Sequence, residues 1–136
     1  MKHLLSALVF LSLLSQKTLG QIQTATAARS DSFEKGQSIG SYYPLDSITS
    51  VTLSNWKGDH ILTRAKITVL AKALKKYSFN GYYAHTKPGH LECRIAFKNG
   101  TALSFYSNGS ADVIIMLPND VYSTFISTDK VNFDKF

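Results

Sequence analysis

Three of the four histidines, a single cysteine and a run of cations are the side chains in this sequence with chemistry to offer. His85 and His90 flank the turn 86–89, where a hairpin would bring two imidazoles together, and His60 adds a third elsewhere. A zinc site wants three or four ligands, each imidazole backed by a carboxylate or carbonyl. No carboxylate lies near the pair, and Lys87 between them repels a cation. Surface histidines and no metal are expected. Cys93 would be a nucleophile if a base lay beside an exposed thiol. It alternates instead with Leu91, Ile95 and Phe97, the pattern of an inward-facing strand residue acting as a small apolar group. The sequence also lacks closely spaced carboxylate pairs, a phosphate-cradling glycine loop and a zinc-type Cys or His pair. No catalytic residue and no cofactor is expected.

The cations are more informative. Residues 57–98 hold nine Lys or Arg against Asp59 and Glu92, whereas residues 99–136 hold two against four acids. Five of the nine, Arg64, Lys66, Lys72, Lys75 and Lys76, fall in one segment of helical spacing that contains no acid. At about 100° per residue, Arg64, Lys72, Lys75 and Lys76 share an arc of about 120°, with Lys66 at its edge. Lys75 and Lys76 complement the helix dipole in its last turn, but Arg64 and Lys66 oppose it in the first. No acid at i+4 relieves them. Such a face is either the solvated side of an amphipathic helix or a binding face for an anionic macromolecule. Glycolipid, acidic polysaccharide and acidic protein are the candidate partners.

Asn99-Gly100-Thr101 and Asn108-Gly109-Ser110 match the N-glycosylation sequon, but both also sit where turn chemistry alone places Asn-Gly.

The elements that would position these groups follow from periodicity. Alternation over 47–53 predicts a first strand, and Asn55, Gly58 and Asp59 mark a loop after it. Thr63 is a candidate N-cap for a helix over 64–78, with Ile67, Leu70, Leu74 and Tyr77 on its apolar side and Asn80-Gly81 as its stop. Strands are expected over 82–85, 91–97, 101–106 and 111–117, separated by Pro88-Gly89, Asn99-Gly100, Asn108-Gly109 and Pro118-Asn119. Residues 121–127 read as a strand or a short helix. A three-residue loop at 98–100 sets Ile95 opposite Leu103 and Cys93 opposite Phe105, matching apolar to apolar on one face. A two-residue loop would set Ile95 opposite Ser104, so the longer loop is expected. The predicted fold is α+β: an antiparallel meander of four to six strands packed on one main helix.

The N-terminus reads as an export signal. Lys2 starts it, the apolar run 4–14 follows, and 15–20 is a polar exit with small residues at Thr18 and Gly20. A run of eleven residues falls short of the roughly 20 that span a bilayer. Cleavage is expected after Gly20, with Ala25-Thr26-Ala27 as a second, more distant candidate. Residues 21–45 show no period and are expected to be a flexible leader, with one small domain over 46–136. Removing twenty of the 136 residues leaves thirteen Lys or Arg against nine acids, a net charge of +4. One cysteine excludes an internal disulfide, so packing or a partner must hold the domain.

The composite expectation is a secreted or periplasmic binding module without catalysis. One version binds an anionic partner through the basic helix. The other is a protein-recognition or inhibitor-like domain acting through the loops 56–60 and 86–90 or an exposed sheet edge, with Trp56 as the loop anchor.

Overall fold

A computed structural model describes residues 33–83, 87, 89–108, 111–117 and 121–136. The expected signal segment, the first part of the expected leader, His85, and Thr86 and Pro88 of the 86–90 loop lie outside the described residues.

The chain order is β1 (Ile48–Asn55), β2 (Gly58–Ile61), α1 (Arg64–Leu74), β3 (Ser78–Tyr83), β4 (Leu91–Phe97), β5 (Ala102–Ser107), β6 (Val113–Leu117) and β7 (Val121–Ile126). All seven strands join one antiparallel sheet in the order β2-β1-β4-β5-β6-β7-β3. The α+β class holds, with more strands than expected and one main helix. Of residues 121–127, Val121–Ile126 resolve as strand.

Strand β4 shows why the sheet forms. Leu91, Cys93, Ile95 and Phe97 alternate with more exposed residues, so one face of the strand is fully apolar. Across the 98–100 loop, Cys93 pairs with Phe105 and Ile95 with Leu103, the register that matches apolar faces. Gly100 takes the positive φ that the bulged loop requires. Gly89 serves a different need. A Cβ there would lie 2.3 Å from the Ser107 carbonyl oxygen, so only glycine lets these two backbones pass.

Four expectations are corrected. First, β4 to β7 form a consecutive meander, but β1 pairs with β4 and β3 pairs with the far strand β7. Helix α1 therefore carries the chain across the inner face from one edge of the sheet to the other. Second, Gly58–Ile61 is a strand, not part of a loop. All four residues are exposed, so no buried alternation marked it.

Third, α1 ends at Leu74 rather than continuing to 78. Tyr77 and Ser78 are drawn into pairing instead: the Tyr77 carbonyl accepts from the Ile39 amide, and Ser78 lies opposite Ile126. Asn80-Gly81 accordingly sits within β3, at a bulge in its pairing with β7. Fourth, residues 33–45 are not a free leader. Phe33, Ile39 and Leu45 are buried in the main core, and Ile39 is fully enclosed. Backbone bonds from Gly36 to the Phe79 carbonyl and from Phe79 to the Gln37 carbonyl hold this arm along β3.

The core therefore lies on one side of the sheet. Ile67, Leu70 and Leu74 of α1 cover its centre. The arm 33–45 covers the β3–β7 side, where Phe33 meets Phe79 and Phe125 ring to ring at 5.5 and 5.0 Å. The segment 131–136 covers the remainder, with Phe133 buried against Phe105 and Tyr77. Tyr77 is fully enclosed and its hydroxyl donates to the Ala111 carbonyl at 2.7 Å. Burial pushes its pKa up to about 12.

Candidate functional site

The five cations of residues 64–76, three in α1 and Lys75 and Lys76 just past its end, have separate local environments. Arg64 donates through Nη1 to the Ile48 carbonyl at 2.8 Å. Lys66 donates to the Phe136 carbonyl at the opposite end of the chain. Lys75 pairs with Asp46 at 2.6 Å and Lys76 with Asp129 at 2.5 Å. These acids lie 29 and 53 positions away in the chain, which is why a search at helical spacing misses them. Both pairs are well exposed, so each adds less than about 1 kcal/mol of stability. Their effect is to offset charge: two of the five cations already face a carboxylate. Arg64, Lys72 and Lys75 do come together, lining a shallow groove of about 180 Å³ with Thr68 and Asp46. Lys66 and Lys76 stand outside it.

Neither Cys93 nor the histidines form a reactive cluster among the described residues. Cys93 is fully enclosed, and burial raises its thiol well above the ordinary range, with Glu92 adding in the same direction. It remains protonated at neutral pH. His60 lies on β2 and His90 lies beside Ser107 and Asn132 at another cleft, and no group of three metal-ligating side chains occurs among the described residues. Asn99 is engaged by its own turn, accepting from the amide and hydroxyl of Thr101.

The β1–β2 hairpin stands apart from all of this. It turns over Trp56 and Lys57, with the Lys57 amide donating to Asn55 Oδ1 at 2.8 Å and Gly58 at positive φ. Trp56 at the tip is 82% exposed, and the Lys57 ammonium lies 5.0 Å from its ring centroid. Two residues beyond the turn, the outer face of β2 presents Asp59 and Ile61. Asp59 is held by Arg94 at 3.1 Å and by the Ser54 hydroxyl at 2.7 Å. Ile61 is 72% exposed.

Strand β2 ends the sheet. Leu62 donates to the Val51 carbonyl, so the bonded pairs of this ladder are Val51 with Leu62, Leu53 with His60, and Asn55 with Gly58. The N–H and C=O groups of Asp59 and Ile61 then point away from β1, where no described strand lies.

On the inner side of the hairpin lies a cleft of about 450 Å³. Its floor is apolar: Leu53, Leu91, Phe133 and Phe136. Its rim carries Lys57, His60, Lys66 and Lys135, with Asp134 the acid that is not already paired to Arg94. The volume lies within the range of ligand clefts. Sequence reasoning singled out Trp56 and its loop but missed the strand, the cleft and Lys135. The cleft depends on segment 133–136 folding back under residues 53–60, a contact between positions some 80 apart that no local pattern encodes.

No helix among the described residues is long and apolar enough to cross a membrane. No protein-family model matches the chain, and neither a curated protein nor a solved structure is significantly similar to it.

Proposed function

We propose that this chain is an exported, non-catalytic binding module that recognises a protein partner through the β1–β2 hairpin and its turn at Trp56 and Lys57. One observation carries the reading: the chain's single tryptophan is 82% exposed at the tip of a hairpin whose outer strand, among the described residues, pairs on one side only. Large aromatics held away from the core are costly in solubility and are enriched as anchors of protein interfaces. An unpaired strand beside the anchor adds the backbone groups used in strand-addition recognition.

The test is differential capture from the extracellular medium of the source. A partner retained by the wild-type protein and by a Lys72→Gln/Lys75→Gln/Lys76→Gln variant, but lost with Trp56→Ser, supports the reading. Equal retention by Trp56→Ser overturns it.

A second reading, binding of an anionic macromolecule by the helix, draws support from the groove that gathers Arg64, Lys72 and Lys75. Asp46 in the same groove and the Asp129 pair on Lys76 weigh against it. Retention on immobilised heparin with a steep salt dependence, lost in the triple lysine variant, would favour this reading over the first.

A further inference from the structure

Resting on the hairpin reading, we infer that the partner contributes an extended acidic segment, which adds to β2 as an eighth strand with its carboxylates over the mouth of the cleft at Lys57, Lys66 and Lys135. Three observations converge on this occupant. The first is the ladder. Asp59 and Ile61 turn their N–H and C=O groups outward, and an antiparallel strand pairs with alternate residues in this way. The second is side-chain alternation. His60 faces the cleft with Leu53, whereas Asp59 and Ile61 face the opposite side with Ser54 and Thr52. An added strand therefore sends every second side chain toward the cleft and the others alongside Ile61.

The third is charge. The cleft side presents Lys57, Lys135 and Lys66, the last already bonded to the Phe136 carbonyl, against Asp134 and the Arg94-paired Asp59, so glutamate or aspartate fits there. The opposite side presents exposed Ile61, while the Asp59 carboxylate is satisfied by Arg94. A β-branched apolar residue fits that side. The recognised pattern is thus an alternation of acidic and β-branched residues. The apolar floor at Leu53 and Phe133 receives the methylene stems of the acidic side chains.

The probe is a capped octapeptide alternating glutamate and valine, titrated into the 15N-labelled protein. Two controls accompany it: the same peptide with alternating lysine and valine, and the glutamate peptide N-methylated at every second amide. The expected result is saturable shifts and exchange protection centred on the amides of Asp59 and Ile61. The lysine peptide should bind at least about tenfold more weakly, and the N-methylated one should lose the protection. Equal binding of the glutamate and lysine peptides, shifts centred on α1, or no shift at millimolar peptide would each overturn the inference. If that happens while Trp56-dependent capture persists, the hairpin still recognises a partner but not by this segment. If both fail, the hairpin reading falls with it.

Discussion

The two edges of the sheet are treated in opposite ways. At β3 the first half of the edge is covered: residues 36–39 run beside it and bond to Tyr77 and Phe79, a bulge interrupts the strand, and Phe33 and Ile39 seal the flank. At β2 the edge is bare among the described residues: four residues, all exposed, with Trp56 at one end and Ile61 at the other. Unpaired strand edges invite association, and natural sheets blunt them with covers, bulges, charges or short length. The covered edge uses the first two devices. The bare edge uses brevity and the charges of Lys57 and Asp59. A chain able to cover one edge with its own arm, and leaving the other beside a cationic cleft and an exposed tryptophan, keeps the second edge available for contact.

The contrast predicts that stability resides at the covered edge. Ile39→Ala should cost about 2–5 kcal/mol, because a fully buried side chain leaves a cavity between the arm and the sheet. Urea denaturation followed by circular dichroism checks this. A loss below about 0.5 kcal/mol would mean that the arm is not part of the cooperative unit.

The same region should fail first in alkali. Tyr77 holds its proton to about pH 12 when folded, against an ordinary value of 10. Between those values the unfolded chain has lost this proton and the folded chain has not. Stability is therefore retained below pH 10 and falls at up to about 1.4 kcal/mol per pH unit above it. Tyr77→Phe should remove this part of the slope. At neutral pH it should cost about 1 kcal/mol, because the half-buried Ala111 carbonyl loses its donor. An identical alkaline slope in the variant would show that Tyr77 does not report the covered edge.

Which parts of this arrangement were legible follows from range and regularity. The 91–107 hairpin was readable down to its residue pairs, since β4 alternates cleanly and the Asn-Gly turn lies between its strands. The arm was not. It contributes through Phe33, Ile39 and Leu45, whose irregular spacing is set by two single-turn 3-10 segments rather than by a continuing period. Strand β2 was hidden for the opposite reason: with neither face buried, nothing distinguishes it from a polar loop. Helix α1 was found, but its end was misplaced because Tyr77 keeps helical spacing while its backbone serves the sheet edge. Of the candidate site, Trp56 was visible as an unplaced aromatic. The charges that neutralise Lys75 and Lys76 were invisible because Asp46 and Asp129 approach only in the folded chain.

Those ion pairs allow a finer comparison between the helix and the bare edge. Asp46→Asn with Asp129→Asn should cost less than about 1 kcal/mol, as expected of exposed pairs. The double variant should elute later from heparin than the wild type, because Lys75 and Lys76 regain uncompensated charge. If elution also becomes independent of Lys72, Lys75 and Lys76, the helix has no anion-binding role.

The smallest effect is expected at the bare edge itself. Trp56→Ser removes a side chain that touches little beyond the Lys57 stem, so the urea midpoint should move by no more than about 0.5 kcal/mol equivalent. Since Trp56 is the chain's only tryptophan, its emission is an independent check. The folded wild-type protein should already emit as a solvated indole, and unfolding in urea should barely shift the maximum. A blue-shifted native maximum would place the ring against apolar surface, and would remove the exposed anchor on which the difference between the two edges turns.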